Sequence, residues 1–215
     1  MQYEVKCIDA THLLTRTRRK SYKGGLDLVN NEAWKRVAKG GNTLLTPIMI
    51  EEVTEPMSAS MAATHFSEAV EIEMRKCDFN KSADLCRDIR LWWESEDSSG
   101  QTAAERFFNR DLLRSRLLSH VNFGKFPPPT MHVAGWPWQL WEALISHIDA
   151  KTQLYFLCHG GSYNVRAFSS LIGETFFSEL SLHDKTGCGT VSAEEFGRFI
   201  GTATEQLQVR LDPNR

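Results

Sequence analysis

Apolar residues recur along most of this chain at intervals of three and four, the period of an α-helix with one buried face. Asn31 can cap a short helix over 31–39 that places Trp34 and Val37 on one side, and Gly40-Gly41 stops it. Ser58 is placed to cap a long helix reaching about residue 75, and Ser82 to open another in which Leu85, Ile89, Trp92 and Trp93 keep helical spacing. From Thr102 to about Val121, Phe107, Leu112, Leu113, Leu117 and Leu118 form an apolar stripe broken by arginines. Two more amphipathic helices are predicted over 139–157 and 164–183, with Gly160-Gly161 as the break between them. Residues 3–9 alternate enough for a short strand, followed by a helix-like stretch that Gly24 and Gly25 end. The expected fold is mainly α and bundle-like, with one or a few short N-terminal strands.

Pro127-Pro128-Pro129 cannot extend a helix and favours an extended connection. Residues 122–137 are therefore the expected boundary between an N-terminal strand and helical region, 1–126, and a C-terminal helical region, 127–215. Trp136, Trp138 and Trp141 flank that boundary and are read as core and boundary packing rather than as a site.

A chain of 215 residues with 41% hydrophobic and 24% charged composition can bury a full core. Its 25 basic and 27 acidic residues leave a formal charge of −2, so no global field selects nucleic acid, membrane or acidic substrates. The N-terminus lacks a signal-like apolar run, and no stretch approaches the roughly 18 apolar residues of a membrane span. Five scattered cysteines without a CxxC pair indicate neither a disulfide framework nor a zinc site, and reduced thiols in the cytoplasm or nucleus are expected.

The clearest chemistry is in the twelve-residue run 184–195, which carries side-chain oxygens at positions one (Asp184), three (Thr186), nine (Ser192) and twelve (Glu195). Gly189 stands sixth, where a tight loop must turn, and Val191 eighth. Helical patterns flank the run, with Phe176, Phe177 and Leu180 before it and Phe196, Phe199 and Ile200 after it. Over 164–207 the chain resembles an EF-hand helix–loop–helix. The resemblance implies Ca²⁺ as the ion, with Asp184, Thr186, Cys188, Thr190 (through its carbonyl), Ser192 and Glu195 as the ligand positions. Thr186 and Cys188 depart from the acidic or amide ligands usual in the family, and a thiol suits a hard cation poorly. With two charged ligands the expected dissociation constant is on the order of 10⁻⁴ to 10⁻³ M, or the loop holds its shape without an ion. A third reading is a plain turn in which Ser192 or Thr190 caps the next helix.

A shorter pair of motifs, Cys7-Ile8-Asp9-Ala10-Thr11-His12 and Ser170-Leu171-Ile172-Gly173-Glu174, resembles the RNase H-like cores of P-element and hAT-type transposases. That resemblance implies Asp9 and Glu174 as two carboxylates that would share divalent ions in phosphodiester cleavage. The third carboxylate and most of the sheet have no place before residue 3, so it implies a truncated, inactive derivative that binds DNA. The plain alternative is a capping aspartate at position 9 and a solvated helix glutamate at 174.

The basic cluster Arg16, Arg18, Arg19, Lys20 and Lys23 suits phosphate contacts, a nuclear address or a solvated helix end, and Ser21 after it suits a kinase. Nucleotide-binding, serine-hydrolase and zinc-protease signatures are missing, which favours a non-enzyme. Cys158 beside His159 is read as a core cysteine, since adjacent helix residues do not face each other. The sequence thus points to a regulatory or interaction protein with an unidentified protein partner, with a DNA-binding transposase relic as the competitor.

Overall fold

The computed structural model describes residues 8–21, 29, 31–51, 55–97, 100–122, 124, 131–161, 176–180, 182–183 and 192–211. The protein is mainly α. In chain order the helices are α1 (Ala10–Ser21), α2 (Glu32–Gly40), α3 (Pro47–Glu51), α4 (Ala59–His65), α5 (Glu68–Lys76), α6 (Asn80–Asp97), α7 (Ala103–Ser119), α8 (Trp138–Leu157) and α9 (Ala193–Leu211). Two compact units divide the chain, Met1–Arg166 and Ala167–Arg215.

In the first unit α6 packs on α5 and α7, α7 on α8, and α1 on α4 and α8, while α2 leans on α3 and α5. The predicted stripes are the ones buried: Trp34 and Val37 from α2, Leu85, Ile89 and Trp92 from α6, Leu113 and Leu117 from α7. α2 stops where expected, with Gly41 left-handed at φ 69°.

The long helix expected from Ser58 is instead two. Ser58 does cap α4, its Oγ accepting from the Met61 N–H, but Ser67 turns extended and opens α5. The break lets Phe66 bury its ring edge-on against His65 rather than follow the helix surface outward. α5 then ends in a Schellman turn, with Asp78 at φ 62° and the Phe79 N–H donating to the Met74 carbonyl. That turn starts α6 at Asn80 and leaves Ser82 buried inside it.

The sequence boundary after residue 126 also shifts. α8 folds back onto the helices that precede the prolines, which puts the division of compact units at 166/167. Before α8, His132–Val133 (β1) and Trp136–Pro137 (β2) pair antiparallel around Ala134 and Gly135, both at positive φ as a two-residue hairpin requires. The hairpin tucks Trp136 beside Trp141, whose Nε1–H donates to the Val133 carbonyl. These two tryptophans are core, as read from the sequence. The strand expected at 3–9 falls outside the described residues except for Ile8 and Asp9.

In the second unit residues 176–180 are helical and α9 follows. Glu195, Phe199, Ala203 and Leu207, four apart, form the covered line of α9.

Candidate functional site

Of the six residues read as ion ligands, Asp184, Thr186, Cys188 and Thr190 lie outside the described residues, while Ser192 and Glu195 are in place. α9 begins at Ala193, tenth in the twelve-residue run. The Glu195 N–H donates to Ser192 Oγ at 3.2 Å, and Glu195 Oε2 accepts from the Ser192 N–H at 3.1 Å and its hydroxyl at 2.8 Å. This reciprocal capping box stabilises the helix start by satisfying donors that have no partner within the helix. It also points one Glu195 carboxylate oxygen back toward the ninth position. On the other side of the run, His183 stacks flat on Phe199 with ring centroids 4.4 Å apart, so position 183 sits against the second turn of α9. Phe196 and Ile200 are partly exposed rather than packed.

The donor chemistry fits a divalent cation only in part. Two carboxylates, two hydroxyls and a carbonyl are oxygen donors of the right kind, whereas Cys188 supplies sulfur. Among the described residues no group of three or more His, Cys, Asp or Glu side chains converges as a metal site.

Of the transposase-like pair, Glu174 lies outside the described residues. Asp9 is engaged as the cap of α1: its Oδ1 accepts from the Thr11 N–H at 2.7 Å and the His12 N–H at 3.3 Å. His12 stands 3.7 Å from the same carboxylate.

The basic cluster is split by the helix that carries it. Arg18 is 0% exposed, donating to the carbonyls of Glu55 and Met49, whereas Arg16 and Arg19 face solvent and Lys20 is half-buried. Arg18 therefore cannot meet a phosphate in this fold, and Lys23 lies outside the described residues. Ser21 is likewise buried and not presented to a kinase.

Ser21 Oγ lies 2.7 Å from His65 Nε2, the spacing of a nucleophile and its base. The hydroxyl proton, however, goes to the Arg18 carbonyl at 2.7 Å, which can only accept. Toward His65 the serine is then the acceptor and Nε2 carries the hydrogen, the reverse of what a general base needs. His65 stacks on Trp34 at 5.1 Å, and burial, with the Arg18 charge beside it, pushes its pKa well below the usual histidine value. The arrangement locks α1 to α4 and α2.

A second buried polar cluster was not singled out in the sequence. Glu96 (α6) holds Arg110 (α7) at 2.7 Å, His147 (α8) at 3.3 Å and Lys151 (α8) at 3.4 Å, all four side chains at most 4% exposed. The other ring nitrogen of His147, Nδ1, meets the Ile8 carbonyl at 2.7 Å and must donate, because a carbonyl only accepts. Burial alone would raise the Glu96 pKa. The facing His147, with the charges of Arg110 and Lys151, instead holds it at about 2. One carboxylate thus joins three helices and the entry to α1. The signal was present: Glu96, Arg110 and Lys151 occupy apolar-stripe positions of their helices, four after Trp92, three after Phe107 and three after Ile148.

No helix among the described residues is long and apolar enough to cross a membrane. Compared with protein-family models, with curated proteins and with solved structures, the chain matches none.

Proposed function

We propose that this chain is a regulatory or interaction protein whose second unit is an EF-hand-like helix–loop–helix that takes Ca²⁺ weakly. The observation that carries the reading is a coincidence of the twelve-residue oxygen pattern with the start of α9: the helix opens at the tenth position of the run, with the ninth and twelfth residues, Ser192 and Glu195, at its cap. A ligand carboxylate in the family stands at that twelfth position. The stack of His183 on Phe199 supports it further, because the residue before the run and the helix after it lie side by side. Two charged ligands and a sulfur at the fifth position put the affinity on the order of 10⁻⁴ to 10⁻³ M. In the family such a module works by changing the helix–helix relation when the ion binds, which suits a binding partner rather than a chemical step.

Calorimetric titration of the full chain with Ca²⁺, with Mg²⁺ as competitor, tests this. Saturable heat in the millimolar range, lost in Glu195→Gln, is the expected result. Gln can still close a capping box, so the substitution removes a charged ligand while keeping the helix start. Heat unchanged in that variant, or no heat up to several times the expected range, overturns the assignment.

A further inference from the structure

We propose that the outer face of α1, carrying Arg16, Arg19 and Lys20, is a docking surface for the phosphate backbone of double-stranded DNA. The three cations stand at i, i+3 and i+4, so they share one face, while Leu13, Leu14, Thr17 and Arg18 fill the opposite one.

None of the three makes a side-chain hydrogen bond or ion pair with a described residue. Arginines elsewhere in the first unit are largely engaged: Arg75 and Arg90 on Glu71, Arg87 and Arg116 on Asp88, Arg114 on Asp149. α1 itself contains no acidic residue. The macrodipole favours cations in a last helical turn, which accounts for Arg19 and Lys20 but not for Arg16 one turn earlier.

Three charges within five residues span about 6 Å of helix. That density approaches that of duplex DNA, one phosphate charge per roughly 1.7 Å of axis. The face favours a polyanion over a bilayer because Leu13 and Leu14 are turned inward, so that α1 itself presents no leucine on this face to insert among acyl chains. Backbone contacts of this kind position without reading sequence, so the binding is insensitive to base composition.

The test uses the full chain, a fluorescent 20-base-pair duplex of arbitrary sequence and a salt series. Each phosphate neutralised contributes about 0.9 to the slope of log affinity against log salt. The triple variant Arg16→Ala/Arg19→Ala/Lys20→Ala should lower that slope by about 2 to 3 and weaken low-salt affinity on the order of tenfold or more. Arg16 and Arg19 are exposed, Lys20 is half-buried at the edge of the same face and none of the three belongs to the core, so the helical circular dichroism of the variant should match the parent. Lys81→Ala/Arg198→Ala removes two exposed cations elsewhere and should change little. Three results each overturn the proposal: no binding by the parent at low salt, equal loss in the two variants, or stronger binding to phosphatidylserine vesicles than to the duplex.

Discussion

α7 and α9 begin with the same four-residue device and come to different ends. Thr102 and Glu105 close a capping box at the start of α7, as Ser192 and Glu195 do at α9. α7 then drives Arg110, Leu113 and Leu117 into the core of the first unit, whereas α9, among its described side chains, fully buries Ala203 alone. An identical cap therefore says where a helix starts and nothing about what the helix is for. At Thr102 the cap has a complete explanation in helix stability. At Ser192 the same hydrogen bonds coincide with the ninth and twelfth positions of a loop pattern, and only a substitution that keeps the cap can separate the two roles.

The largest effect expected from breaking this contrast lies under α7. Replacing Arg110 by Ala leaves Glu96 buried with a poorer partner set and should cost about 3–5 kcal/mol in chemical denaturation, a size expected for an interrupted buried ion pair. No substitution in the exposed part of α9, Thr204→Ala for instance, should approach it.

The same cluster predicts acid sensitivity. A carboxyl held at about 2, against an ordinary value of 4.5, stabilises the fold above the ordinary value and loses that contribution as pH falls toward 2. The loss is on the order of 3 kcal/mol across that window. Glu96→Gln should lower stability at neutral pH and flatten its dependence between pH 4.5 and 2, read as melting temperature across a pH series. An unchanged acid slope would contradict the pairing.

Next in size come the two caps. Thr102→Ala and Ser192→Ala should each cost about 1 kcal/mol of local helix stability. Hydrogen exchange should place the first loss in α7 and the second in α9. The smallest effect is a gain: His159 closes α8 in the left-handed region at φ 51°, with the Gly160 N–H donating to the Tyr155 carbonyl. His159→Gly relieves the Cβ clash of that conformation and should stabilise the first unit by about 0.5–1 kcal/mol in a thermal melt.

Helix existence was legible because Trp34, Leu85, Ile89, Leu113 and Leu117 repeat with the period of their buried faces. Boundaries at Gly41 and Thr102 were legible from local chemistry, a left-handed stop and a capping box. The break at Phe66–Ser67 was not, because helical periodicity runs through it and the gain comes from packing Phe66 against His65 and Trp34. The partition of the basic cluster was hidden for a related reason. Arg18 is drawn inside by carbonyls of Met49 and Glu55, more than thirty residues away. The Glu96 cluster could have been found by asking why charges occupy stripe positions on three helices. Its partners, however, meet only through tertiary packing. Of the ion-loop residues, Ser192 took the cap that the sequence offered as its alternative role, and Glu195 completes the box, a part the sequence reading did not assign to it.

The most direct test of the functional account is calcium calorimetry on matched cap variants, Glu195→Gln and Glu105→Gln. The account predicts that the millimolar calcium heat disappears in the first and persists in the second, with both helices still formed. Calcium heat that survives Glu195→Gln, or that is absent from the parent chain, would contradict it.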